Sequence, residues 1–288
     1  MIRRLKYHEI DFKKYTACLE SSVQKNWYAR KEVLDQLSGN WHILVYKDYE
    51  AVMPIHLKKK MGINFVHMPL FCQQLGIFSN TDDPKINTAF LKFLRKKYKV
   101  FLYSFNDCNK FEESLEKRKN YIIPVSDYPL LRRKKYFKGR KSTVKIAQHL
   151  NYKEVIFNTE SLEFIKNNFK GLVKEVEWQR LKMYITFLEK EGYLKLCGAF
   201  SDDVLINLAL VIIDEKQLSL LSLINNEQYK QENGSSFLID KILQQYIDRR
   251  SFNFMGSNIR GIEVFFKSFG AELREYCFIE NKFLKRFS

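Results

Sequence analysis

The chain has 288 residues, 45% hydrophobic and 15% aromatic, enough to bury one large or two ordinary cores and too apolar for a disordered protein. Its net charge of +16 is lopsided: residues 1–144 hold 29 Lys+Arg against 14 Asp+Glu, a balance of +15, and residues 145–288 hold 20 against 19, a balance of +1. Five scattered cysteines without a CxxC pair argue against a disulfide framework or a zinc knuckle, and the longest apolar run, 205–213, is far short of the roughly 20 residues that cross a bilayer. We expect a soluble, cytoplasmic protein with no transmembrane segment and no metal.

In chain order, helical patterns occupy about 11–20 and 28–37. "WHILVYKD" (41–48) and "YEAVMPIHLKKK" (49–60) predict a hairpin, and "INFVHMPL" (63–70) a third strand. A helix at 86–98 and a strand at 100–105 follow. Residues 161–191 space apolar side chains at three and four, as amphipathic helices do. Strands at 193–200 and 204–213 flank Ser201-Asp202-Asp203 as a hairpin, with a third strand at 218–224. After the polar loop "NNEQYKQENGSS" come a helix (237–250), a strand (252–255), a helix (259–268) and a strand (271–279). The same order of elements therefore occurs twice, without a residue-by-residue repeat. It predicts two similar α/β domains, 1–135 and 136–288, joined near "RRKKYFKGRK" (132–141), which has seven basic residues in ten.

That stretch, with Arg132, Arg133 and Arg140, is either a solvated linker or a surface for a polyanion such as RNA. Smaller basic clusters stand at 58–60 and 95–97. Cys72 near His67 has the composition of a nucleophile and its base, but the apolar setting fits core residues better. Two strand-to-helix corners offer anion sites, because a helix start carries unpaired N–H groups and partial positive charge. In the first, Gln231-Glu232-Asn233-Gly234-Ser235-Ser236, either serine caps the helix, or the backbone receives a phosphate. In the second, "FMGSNIRGIEVFFKSFGA", Ser257 or Asn258 caps the helix behind Gly256. Lys267 stands there between Phe266 and Phe269, either reaching to water or neutralising a phosphate or a developing oxyanion.

The order of elements, the Gly-Ser corner before the long helix and "FMGSNIRGIEVFFKSFGA" together resemble the FemAB-like branch of the GNAT acyltransferases, which carry two GNAT domains in tandem. The family's strand–Gly-Ser–helix block is met by Phe254, Gly256, Ser257, Gly261, Phe266, Lys267, Phe269 and Gly270, the last four spaced here as Phe-Lys-x-Phe-Gly. "GRKSTVKIAQHLNYKEV" (139–155) is similar to the basic helix that opens the second domain in many members, and 48–79 to the first domain of a bacterial group in that branch. The resemblance implies two domains, each a mixed, mainly antiparallel sheet flanked by helices. It also implies transfer of an acyl or aminoacyl group, from acyl-CoA or charged transfer RNA, onto an amine. One departure stands out: the family's pyrophosphate motif has two spaced glycines, and here Gln231 and Gly234 are followed by Ser236.

For that reaction we expect Gln231, Gly234, Ser235 and Ser236 to hold the donor, and Gly256, Ser257, Arg132, Arg133 and Arg140 to contact substrate. Lys267 would stabilise negative charge and Tyr276 donate a proton; no carboxylate stands out as base, with Glu227, Glu232 and Glu263 candidates by location alone. The alternative is a non-catalytic module of the same fold that holds RNA or another polyanion on its basic N-terminal half.

Overall fold

The computed structural model describes residues 1–281 other than 40, 61 and 173. The chain divides into two compact units, residues 1–118 with 275–288, and residues 119–274.

The first unit begins with β1 (Ile2–Leu5), α1 (Phe12–Ser21), α2 (Lys31–Ser38), β2 (Trp41–Tyr46), β3 (Ala51–Lys60) and β4 (Ile63–His67). It continues with β5 (Phe78–Ser79), α3 (Pro84–Lys97), β6 (Lys99–Val100) and β7 (Leu102–Ser104). β1, β2, β3 and β4 pair antiparallel in that order, and β6 lies parallel to β4. The hairpin turn takes residues 47–50, with Lys47 and Tyr49 at positive φ, so β3 starts two residues later than its apolar pattern suggests. Asp83 caps α3 through the N–H groups of Lys85 (2.8 Å) and Ile86 (3.4 Å), with Pro84 in the first turn and Arg95, Lys96 and Lys97 in the last. Trp41, Tyr15, Phe78, Phe90 and Phe105 are fully buried, at about 1.5–3 kcal/mol each for large apolar side chains.

The chain goes on through β8 (Glu116–Ile123), α4 (Tyr128–Lys134), α5 (Lys138–Ile146), β9 (Asn151–Glu154), α6 (Thr159–Asn168) and α7 (Glu175–Lys190). Then come β10 (Leu194–Ser201), β11 (Val204–Ile213), β12 (Gln217–Asn225), α8 (Gly234–Tyr246), β13 (Ser251–Asn253), α9 (Arg260–Lys267) and β14 (Glu272–Glu280). In the second unit β9, β10, β11 and β12 pair antiparallel, β13 lies parallel to β12, and Ile122–Ile123 of β8 pair antiparallel with β13. The residues of β14 from Glu275 onward belong to the first unit, where Phe278, Ile279 and Glu280 pair with β7.

The amphipathic stretch 161–191 holds two helices, α6 and α7, each with its own start: Asn158 and Ser161 cap α6 reciprocally at 2.9 Å. Two expectations change. The basic stretch 132–141 is not a linker. It forms the end of α4 and the start of α5, and Tyr136 between them is buried against Phe269 at 5.3 Å. α8 begins at Gly234, three residues early, because Asn233 turns left-handed (φ 60°) and releases the helix there.

Candidate active site

The site grows from one irregularity in the second sheet. β12 and β13 are parallel partners over Gln217–Ser219 and Ser251–Asn253 only. β12 then runs on to Asn225, while the chain after Asn253 turns away: Phe254 N–H donates to the Tyr121 carbonyl at 2.9 Å, and Met255 (φ 57°) and Gly256 (φ 73°) take left-handed conformations in succession. Two such residues are costly except at glycine and mark a built turn. The strands splay apart, and the edge of β12 past Ser219 loses its β13 partner.

Between the splayed strands opens a cavity of about 440 Å3. Leu220, Leu223, Phe254, Phe265 and Phe266 give it apolar walls, and Asn225, Ser235 and Ser257 bring polar atoms. Phe254 stacks on Phe266 at 4.4 Å, which fixes α9 over the opening. β12 also carries a bulge: its register to β11 passes from Leu210↔Ser222 to Val211↔Leu220, leaving Leu221 without an opposite residue. A bulge turns backbone groups out of the ladder, here beside the cavity.

At the helix end of the cavity stands a polar cluster. Asn207 of β11 lies across from Asn225 in register, and Asn207 Nδ2 donates to Asn225 Oδ1 and, at 3.2 Å, to Ser235 Oγ. Ser235 Oγ donates to Asn225 Oδ1 at 2.6 Å. A Cβ added to Gly234 would meet Asn207 Oδ1 at 1.7 Å, so this glycine is needed for close approach. Arg140 of α5 brings positive charge to the same helix start. It donates to Ser236 Oγ and to Ser268 Oγ (2.8 Å), with its guanidinium 4.5 Å from the Phe265 ring centre and 4.6 Å from that of Phe269. Burial holds its pKa down to about 10, and among the described residues no carboxylate pairs with it.

The expected site residues divide accordingly. Ser235, Gly256 and Ser257 line the cavity; Gln231, Gly234, Ser236, Lys267 and the three arginines do not. Neither Ser235 nor Ser236 caps α8, because both hydroxyls are committed to Asn225 and Arg140, and Asn233 takes the capping position without a side-chain bond. α9 likewise starts at Arg260, two residues past Asn258, with Ile259 in the capping position: Ser257 Oγ accepts from Ile259 N at 3.0 Å, and Asn258 Oδ1 from Lys119 N at 3.2 Å. Lys267 is exposed at the end of α9, its Nζ 5.6 Å from the Tyr121 ring centre. Tyr276 belongs to the first unit, where it is buried and its pKa raised by that burial, against the opposing influence of Arg118 and a Gln73 hydrogen bond. Arg133 is exposed; Arg132 is half-buried.

The three carboxylates are poor bases. Glu227 bonds Lys170 (2.9 Å) and Glu263 bonds Lys119 (2.6 Å), and each partner lowers the carboxyl's pKa. Glu232 is paired with His149 at 2.8 Å. Cys72 sits in the loop after β4, its thiol pushed up by complete burial, and His67 stacks on Phe101 at 4.4 Å, so neither is a nucleophile in waiting.

The first unit repeats the parallel pairing, Phe65↔Lys99 and Val66↔Val100. Its corresponding helix start is closed to anions, because Asp83 caps α3 and Asp82 Oδ1 accepts from Asn87 Nδ2 (2.7 Å) and Gln24 Nε2 (3.1 Å) beside it. The second unit therefore holds the better site.

No protein-family model matches this chain, and no curated protein sequence does. Solved structures do match. FemX superimposes with a TM-score of 0.64 at 11% identity, covering 99% of both chains. A tandem GNAT protein from the clavulanic acid biosynthesis pathway gives 0.55 at 10% identity, covering 96% of this chain and 97% of its own. The fold is a tandem GNAT fold. L-PGS from Bacillus licheniformis shares it, with a TM-score of 0.55 at 13% identity over 94% of this chain and 92% of its own. The likeness lies in the fold and supports the FemAB-like GNAT resemblance drawn from 254–270. The splay between β12 and β13 lies in the second unit of that fold.

Sequence reasoning missed Asn207, Asn225 and the bulge at Leu221. Asn207 left a signal, a polar residue inside the apolar run 205–213, which a buried strand tolerates only with a partner. The bulge left none.

Proposed function

We propose that this chain is an acyltransferase that holds an acyl or aminoacyl donor in the cleft between β12 and β13 and moves its acyl group onto an amine. The observation that carries this reading is the released, bulged edge of β12 facing an apolar cavity. Such an edge offers backbone N–H and C=O groups to an extended ligand and, beside the bulge, a donor for the reacting carbonyl. The amine attacks the carbonyl of a thioester or ester, the oxyanion is stabilised, and collapse expels the thiol or hydroxyl. The backbone N–H groups at the α8 start, that of Ser235 among them, with Arg140 behind them, are proposed to receive the donor's anionic end, and Gly256 and Ser257 to border the substrate. Lys267, at the exposed end of α9, is proposed to neutralise charge on a substrate. Cytoplasmic location and acyl-CoA or aminoacyl-tRNA as donor belong to the same proposal. Thermal-shift measurements with acetyl-CoA, longer acyl-CoAs and an aminoacylated RNA hairpin test it: stabilisation by one class identifies the donor, and stabilisation by none removes the reading.

A second reading has one specific observation in its favour. In the first unit a cavity of about 370 Å3 is lined by Arg4, Arg95, Lys96, Lys97 and Lys99 without a carboxylate in its lining. A non-catalytic module would use that surface for RNA, with affinity falling steeply with salt. Reversing Lys96, Lys97 and Lys99 to Glu would abolish RNA retention if this is its role and leave acyl transfer unchanged if it is not.

A further inference from the structure

One side chain in the cleft has a fixed direction. Asn225 closes β12, and its Oδ1 is held by two donors, Ser235 Oγ at 2.6 Å and Asn207 Nδ2. Both donors are themselves anchored. Asn207 is 5% exposed and packs against Gly234, where no Cβ fits, and Ser235 sits in the first turn of α8. An amide is planar, so pinning its oxygen sets where the nitrogen points. Asn225 Nδ2 has no hydrogen-bond partner among the described residues, yet it is not one of their buried, unpartnered atoms, which belong to His42, Asn87, Tyr121 and Tyr136. Asn225 lines the cavity, and from its pinned oxygen we take the open amide end to face it.

We propose that Asn225 is a specificity-determining residue of the donor site, and that its Nδ2 donates to a carbonyl oxygen in an extended, amide-bearing arm of a thioester donor. This rests on the acyltransferase reading. Three features select that ligand class. Nδ2 can only donate, so it favours a carbonyl and rejects an amine. The Ser235 hydroxyl proton is committed to Asn225 Oδ1, so the serine does not compensate for loss of the amide. The walls on either side, Leu220, Leu223, Phe254 and Phe265, are apolar, so a donor held in one direction among them sets the register of a ligand lying along the free edge of β12 more firmly than the rotatable hydroxyls of Ser222 and Ser257. Asn207 serves as a positioning residue, acting only through the orientation of Asn225.

Asn225→Asp is the sharpest test, because it keeps the oxygen that Ser235 and Asn207 bind and turns the open donor into an acceptor. Binding of acetyl-CoA and of S-acetylpantetheine, which lacks the nucleotide, is measured by calorimetry on the full chain. We expect about 10- to 100-fold weaker binding of both thioesters. Equal binding by wild type and variant overturns the role of Asn225 and leaves the acyltransferase reading standing. Loss with acetyl-CoA but not with S-acetylpantetheine overturns the carbonyl contact and moves the donor to a phosphate. A wild-type chain that binds neither thioester overturns the thioester reading itself, and this proposal with it. Asn225→Ser, which removes the donor without adding charge, gives the same comparison where the aspartate variant does not fold.

Discussion

Gly234→Ala separates two opposite expectations. Replacing a helical glycine by alanine normally stabilises, by up to about 1 kcal/mol, because the unfolded chain loses freedom and the helix prefers alanine. Here the added Cβ would stand 1.7 Å from Asn207 Oδ1, 2.7 Å from its Cγ and 3.2 Å from Ile206 Cδ1. Asn207 must leave its place and give up its bonds to Asn225 and Ser235 in a setting where it is 5% exposed. An unsatisfied buried amide costs about 1–3 kcal/mol and overpacking about 1–3 kcal/mol, which outweighs the helix gain and leaves a net loss of about 1–5 kcal/mol. Urea unfolding of Gly234→Ala, Asn207→Ala and the double variant measures this. The double variant should recover part of the loss, since the clash partner is gone. Gly261→Ala is the control: nothing lies within 4 Å of its added Cβ, so the variant should be no less stable than wild type. A Gly234→Ala chain as stable as wild type would refute the close packing on which the cluster rests.

Other outcomes follow from the same geometry. Asp240 of α8 is 2% exposed and accepts from Tyr128 Oη at 2.9 Å, and burial raises its pKa above 3.8. A raised carboxyl pKa contributes stability below the unfolded value that is lost as pH rises through the folded value, so Asp240→Asn should equal or exceed wild type in Tm at pH 7 and lose that advantage below 3.8. Arg140→Lys should destabilise by about 1–3 kcal/mol in urea, because an ammonium keeps the charge but not the planar contact with Phe265 and Phe269. Lys267→Ala should leave the unfolding free energy within about 1 kcal/mol of wild type, as the lysine is exposed; turnover measured on the same variant decides its proposed charge role, and full turnover removes it.

The sequence by itself determined the elements and their order. Period-two strands, period-three-to-four helices and local caps such as Asp83 and Asn158 depend on residues a few positions apart, so they are written in one stretch of chain. The Phe254–Gly270 block was legible for the same reason, and it carried the GNAT resemblance that the solved structures support. Cap assignments at Ser235, Ser236, Ser257 and Asn258 failed because each of these polar groups met a longer-range partner: Asn225, Arg140 or Lys119, or a helix starting one residue later. Only the tertiary structure decided that Lys267 ends outside the cleft lining and that Tyr276 belongs to the first unit. It also decided the cleft itself. A splay is a property of two strands whose partners lie 34 residues apart and that pair for three positions and then part, and a bulge appears only in the register between strands. Asn207, Asn225 and Ser235 are unremarkable polar residues in sequence. Strand pairing and a glycine that lets an asparagine approach make them one cluster.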